Sequence, residues 1–280
     1  MFSLQVSFGQ SLPEEGDQVK ITKRNGAVIL GEFLSDDGRE VLVLTEDLGK
    51  VYIPKHEIEK IEPLKADDFR NGNFVGDDPF STRYFITTNG LPIKKGDNYG
   101  MLSIYGPEAH FSVADNFNVG FMTSWAATPA ILSMKYSTQI EEKVHFGVGA
   151  LVGVNPFFFP GYGGLAFGSL TLGDRKGNIT FTGGYAGVSS MDGTSGGHAP
   201  LASIAGMIRT NSRLSLVFDS FIYLGGSAEG SADDFALVMP GLRFNTSDKF
   251  ALQFGLGGVV AQGTWVPLPI PVGSIFFALN

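Results

Sequence analysis

The chain of 280 residues contains no cysteine, which excludes disulfides, thiolate metal sites and cysteine nucleophiles. It has four histidines, His56, His110, His145 and His198, and their spacing matches no metal-ligand pattern, so no metal site is expected. No apolar run approaches the ~20 residues of a membrane helix, so any insertion into a bilayer must use strands. Only 17% of residues are charged, and the net charge of −8 comes without a basic stripe, which argues against a nucleic-acid binder. Gly161 to Gly164 and Gly193 to Gly197 are glycine-rich, but no lysine-bearing phosphate loop accompanies them, and no cofactor is expected.

The scarce charge is unevenly spread. Residues 1–78 hold 16 of the 28 acids and 9 of the 20 bases, whereas the rest hold 30 of the 38 glycines and 19 of the 24 phenylalanines. A charged head therefore precedes a charge-poor, Gly/Phe-rich body. Residues 1–9, from M-F-S-L-Q-V-S-F-G-Q, read as the remnant of a secretory signal, apolar and ending in small residues at −3 and −1 of a cut after Gly9. The competing reading is a short first strand.

Residues 17–63 predict five short strands. Val19 and Ile21 alternate with polar residues, Asn25-Gly26 makes a hairpin turn, Gly31 marks a bend, and Asp36 to Gly38 and Asp47 to Gly49 are further turns. His56 to Ile61 reads as a short 3-10 turn followed by a closing strand. Residues 64–79 have no period and many turn formers, so they read as a linker.

From residue 80 to 280 the body reads as strand after strand. In Val144 to Val154, the residues Val144, Phe146, Val148, Ala150, Val152 and Val154 share one face, and His145, Gly147, Gly149, Leu151 and Gly153 share the other. A soluble sheet would offer water Lys and Glu on its polar face; here that face is mostly glycine. Strands are expected at 80–89, 100–112, 117–126, 129–138, 143–154, 162–172, 177–188, 200–209, 213–224, 234–244, 249–261 and 268–279, most near the length a tilted strand needs to cross a bilayer. Short polar turns alternate with longer Gly/Pro-rich loops, among them 90–99, 155–161, 189–199, 225–233 and 262–267. The fold expected is all-β: an antiparallel transmembrane barrel of about twelve strands, preceded by a small SH3/Sm-like barrel. An even count puts both ends of the barrel on the short-turn rim, which is periplasmic in outer-membrane barrels. Trp125, Tyr136, Tyr162 and Trp265 lie near strand ends, where aromatic girdles sit.

Arg83, Glu108, His110, Lys135, His145, Asp219 and Arg243 each share a face with small polar residues and are expected in the lumen, because a Lys or Arg facing mid-bilayer would cost about 2–4 kcal/mol. Their mixed signs suggest pairing that constricts or plugs the interior. Glu108, His110 and Ser112 share one strand face at i, i+2 and i+4, and a histidine beside a serine with a carboxylate behind it is the arrangement of an activated nucleophile. The more economical reading is a polar lumen cluster. Asp192 and Asp233-Asp234 lie in predicted outer loops and read as isolated surface acids.

The head, with its bent second strand and V-Y-I-P-K-x-E-I-x-x-I segment, resembles Sm-like small barrels, without the basic loops that bind RNA. Glu108, His110 and Ser112 resemble the arrangement of outer-membrane lipid A deacylases. The whole chain resembles envelope β-barrels of Bacteroidota-type bacteria, which implies an outer-membrane location among membrane lipid, with the head in the periplasm. The expected function is a non-enzymatic membrane anchor or assembly component whose residues 17–63 dock a periplasmic or envelope protein. The alternatives are a small passive pore and a lipid hydrolase using His110 and Ser112.

Overall fold

The computed structural model describes residues 13–70, 72–157, 159–225, 234–261 and 264–279, with 264–269 described by backbone alone. Two compact units divide it at Gly72/Asn73. The expected signal remnant at 1–9, Asp233 and the side chain of Trp265 lie outside what is described.

The first unit contains β1 (Gln18–Lys23), β2 (Val28–Asp36), β3 (Glu40–Thr45), β4 (Gly49–Pro54) and β5 (Ile58–Pro63). They form an antiparallel sheet in the order β4-β3-β2-β1-β5. Val19, Ile21, Phe33, Val41, Val43 and Ile53 make its core. Gly31 has a plain physical role: a Cβ there would stand 2.5 Å from the Leu44 carbonyl oxygen, so only glycine lets β2 pass this close to β3. The two-residue strands β6 (Phe69–Arg70) and β7 (Asn73–Phe74) lie on the connection.

The second unit is a closed barrel of twelve antiparallel strands. These are β8 (Tyr99–Ser103), β9 (Pro107–Ala114), β10 (Phe117–Thr123), β11 (Ala130–Glu141), β12 (Val144–Asn155), β13 (Gly161–Gly173), β14 (Gly177–Ser190), β15 (Gly196–Arg209), β16 (Leu214–Tyr223), β17 (Phe235–Ser247), β18 (Phe250–Ala261) and β19 (Thr264–Ala278). The ring closes where β19 pairs with β8 and β8 with β9. Closure joins the first and last staves, through Ser274–Ala278 of β19, as strands that contact lipid require.

Twelve is the expected number, reached through two errors that offset each other. The stretch 80–89 is not a stave. The stretch 100–112 is two staves, split by a turn at Ser103 to Gly106, where Gly106 N–H donates to Ser103 O at 3.2 Å. Gly106 takes φ +148°, and a Cβ there would overlap the Thr123 carbonyl oxygen. The expected outer loop 90–99 is also corrected. It lies against the short-turn rim, where Asn116 N–H donates to Ile93 O at 2.8 Å and Gly96 N–H to Ser112 O at 3.0 Å.

The faces follow the alternation. Phe146, Val148, Val152 and Val154 are exposed on the outside of β12 while His145 is buried inside, and Phe121, Leu132, Phe181, Leu216 and Phe254 continue the apolar exterior on other strands. Among the described residues of 99–278, every Lys, Arg, Asp and Glu sits in the lumen or at a rim. Trp125, just past β10, and Tyr162, at the start of β13, are exposed near strand ends, whereas Tyr136, also exposed, lies mid-way along β11.

Candidate functional site

Residues 75–93, which include the last five residues of the expected linker 64–79 and the expected first stave 80–89, run inside the barrel. Val75, Asp78, Phe80, Ser81, Tyr84, Phe85, Asn89 and Leu91 are buried there. This stretch looks strand-like because it is apolar and β-branched, but it lies within the ring of staves and pairs with none of them. Its backbone polar groups are met by lumen side chains, as burial demands.

The chain comes in at the short-turn rim. Asp78 N–H donates to Arg175 O at 3.2 Å, and the Arg209 guanidinium donates to Asp77 O. Arg243, on β17, then fixes the segment. Its guanidinium donates to Asp78 Oδ2 at 3.1 Å, to Phe80 O at 2.8 Å and to Arg83 O, while its Nε donates to Gln253 Oε1 at 2.7 Å. Asp78 also accepts from Asn245 Nδ2 at 3.0 Å and from Phe80 N–H at 2.9 Å. Both ionic partners are wholly buried. A buried pair adds stability only when its remaining donors and acceptors are satisfied, and this one is embedded in such a network. Phe276 lies under the guanidinium carbon at 4.7 Å, within cation–π range.

Further along, Tyr84 Oη donates to Asn178 Oδ1 at 2.5 Å, and Gln253 Nε2 donates to Tyr84 O at 3.2 Å. Asp219 caps the turn that follows. Its Oδ2 accepts from Ile86 N–H at 2.7 Å and Thr87 N–H at 2.9 Å, and its Oδ1 accepts from Thr87 Oγ1 at 2.6 Å. Gly90 N–H donates to Thr171 Oγ1 at 2.8 Å. Gly90 also crosses Gly147, whose hypothetical Cβ would lie 3.1 Å from Gly90 Cα. The glycine face of β12 thus makes room for a second piece of chain.

All the residues expected in the lumen are inside the barrel, though Arg83 rides on the inner segment rather than on a stave. Arg83 forks onto Glu108 at 2.8 and 3.0 Å, and Glu108 meets His110 Nε2 at 3.1 Å. Tyr99 stacks on His110 at 4.8 Å. Lys135 Nζ donates to Thr88 Oγ1 at 2.8 Å and Asn89 O at 3.1 Å, and His145 Nε2 meets Gly173 O at 2.9 Å. Ser112 stands apart from the histidine. Its hydroxyl donates to Asp97 O at 2.9 Å and accepts from Asn118 Nδ2 at 3.4 Å, so the nearby acid and base serve Arg83 rather than a nucleophile.

Sequence reasoning missed Asp78, Tyr84, Asn178, Arg209 and Gln253. A signal for Asp78 was available. The expected lumen cations Arg83, Lys135 and Arg243 outnumber the expected lumen acids Glu108 and Asp219, which favours a further acid from outside the staves.

The inner segment packs against β15–β19, where Tyr84 and Phe85 join Met207, Val217, Met239 and Val272 in one cluster. Across the lumen, toward β10–β14, a cavity of about 460 Å³ remains, with the inner segment as its floor. It shares Pro129, Ile131, Leu151 and Leu165 with a wider opening of about 920 Å³ among the loops after β12 and β14. Among the described residues the lumen is therefore stoppered at the short-turn rim and hollow toward the loop rim.

No family model matches the sequence, and no curated protein does. Solved structures that share features of the barrel include a NanC porin, 10% identical over 65% of this chain and 98% of that one, with a TM-score of 0.44. The outer-membrane protein OmpT of Vibrio cholerae is 12% identical over 93% of this chain and 94% of its own, with a TM-score of 0.40. At such identities neither carries an activity or a ligand across.

Proposed function

We propose that this chain is an outer-membrane barrel that does not conduct, an anchor or assembly component closed by its own inner segment and carrying residues 17–63 as a docking module. The observation that carries this reading is the Arg243–Asp78 network. A segment held by buried, mutually satisfied charges is a fixed stopper. The apolar exterior supports the membrane location: in water it would leave bare a patch far beyond the few hundred Å² a soluble monomer tolerates. The chain comes in at the short-turn rim, which supports a periplasmic head. On the head, edge strand β4 presents Tyr52, 64% exposed, with Leu48 in the turn before it, 78% exposed, and an edge strand with apolar side chains is a surface for a partner. The Sm-like resemblance is consistent with the strand order but adds no RNA-binding residues.

The test is planar-bilayer conductance of purified protein whose folding is verified by heat-modifiability on gels. Folded wild-type protein is expected to give no steady current. A steady open-channel current would overturn the reading in favour of the pore.

A further inference from the structure

The cavity left between the inner segment and β10–β14 has two chemically distinct parts. Toward the loop rim it is walled by Met122, Ile131, Leu151, Leu165, Phe167 and Phe221. Its floor is cationic, with Lys135, Arg83 and Arg175 at its margin. Of the acids at this floor, Glu108 is taken by Arg83, and Asp97 lies 3.6 Å from Arg175. Among the described residues Lys135 is left with two neutral acceptors, Thr88 Oγ1 and Asn89 O, so one ammonium donor has no partner there. Arg83 Nε, at the same cavity, is buried and has no hydrogen-bond partner among the described residues. A cation drawn into a barrel without a counter-ion is costly unless something supplies the opposite charge.

The geometry points to a binding site for a single-chain amphiphile with an anionic head, of the fatty carboxylate class. The carboxylate sits on Lys135 and beside Arg83, and the alkyl chain runs up the apolar wall toward the loop rim. The volume of about 460 Å³ falls in the range of roughly 300–1,000 Å³ for small-molecule sites. An apolar wall with a few convergent polar groups is what such sites share. The mouth among the loops supplies the way in, since the short-turn rim is closed. The site depends on the lumen alone and stands whether or not the head docks a partner.

The test uses the full chain in phosphatidylcholine nanodiscs with a diazirine-bearing fatty acid as photoprobe, attachment being mapped by mass spectrometry. Dodecanoate and dodecanol serve as competitors. Labelling is expected at lumen-facing residues such as Ile131, Leu151 and Leu165, with dodecanoate competing about tenfold better than dodecanol, the value of one charge-assisted hydrogen bond. Lys135→Met should erase that preference, and Leu165→Trp, which fills the wall, should remove lumen labelling. Attachment confined to outward residues such as Phe146 and Val148 would overturn the site. So would equal competition by acid and alcohol, or a preference that survives Lys135→Met. If Lys135→Met fails the heat-modifiability check, Leu165→Trp decides alone, and unchanged lumen labelling in it overturns the proposal.

Discussion

The two walls of the lumen are built from the same kind of strand and do opposite things. On β15–β19 the inner segment is packed to contact: Phe85 reaches into the space over Gly241 and Gly255, where a Cβ would meet its Cζ at 2.5 and 2.8 Å. On β10–β14 the segment makes its contacts toward the short-turn rim, with Gly147, Thr171 and Asn178, and above them the wall stands back, with Leu151 and Leu165 facing a hollow. The difference teaches that glycine on a lumen face has two meanings. Where a second chain lies against it, glycine is a packing requirement; where nothing lies against it, glycine is spare room. Which meaning holds depends on the segment that fills the barrel.

The sharpest way to break the contrast is to cut the packed wall's ionic anchor. Arg243→Ala strands Asp78 in a site with no solvent exposure, and removing one partner of a buried pair costs about 3–5 kcal/mol. The expected outcome is a large fall in the urea midpoint of the folded, heat-modifiable form, with steady current from the fraction that still folds. A midpoint within error of wild type would mean that the apolar contacts of Phe85 and Tyr84, rather than the Asp78 network, seat the segment.

A finer probe places the same substitution under the inner segment and away from it. Gly241→Val drives a side chain into Phe85 and the Phe254 carbonyl oxygen, and overpacking of this kind costs about 1–3 kcal/mol. Gly197→Val, on β15 toward the mouth, meets nothing within 4 Å and should stay within about 0.5 kcal/mol of wild type. Equal effects in parallel urea titrations would show that the two kinds of glycine do not differ.

Much of this was legible in the sequence, and the failures have physical causes. Period-two alternation with Phe and Val against Gly and Ser marked the staves, because a strand with lipid on one side and a crowded lumen on the other has no other way to be written. The alternation in Phe80 to Asn89 is just as good, yet nothing in it says whether its backbone will pair with neighbours or be met by Asp219, Thr171 and Gln253. That distinction lives in long-range partners, more than 80 residues away for Gly90 and Thr171. The split of 100–112 was readable, since Tyr105-Gly106-Pro107 is turn chemistry. The charged lumen set came out of strand register alone. A further acid, Asp78, lay in a stretch that looked like linker, and only the excess of lumen bases pointed to its existence. The hollow side, in contrast, had no local signature: Leu151 shares a face with glycines, and its apolar wall appears only when Ile131 and Leu165 are brought beside it.

The smallest expected effect lies at the mouth of the hollow side. Asp192 sits in the loop between β14 and β15, where its Oδ1 accepts from Ser190 Oγ at 2.6 Å, Thr194 N–H at 3.0 Å and Thr194 Oγ1 at 2.8 Å. The Ser190 hydroxyl first, then the Thr194 amide and hydroxyl, hold its carboxyl down at about 2, below the ordinary 3.8. A folded-state value below the unfolded one means that the ordering these bonds give is complete above the ordinary value and is lost as pH falls through the folded value. Amide exchange at Thr194 should therefore stay protected as acid passes 3.8 and lose protection only near 2. Asp192→Asn, which keeps an acceptor but no charge, should flatten that titration while leaving the barrel's urea midpoint unchanged, because the side chain is fully solvent-exposed and its bonds close a loop rather than seat the inner segment. Loss of protection already at the ordinary carboxylate value would mean that the loop is not closed over Asp192. The mouth would then be held open by the strands alone, and the contrast between the walls would reduce to where the inner segment happens to lean.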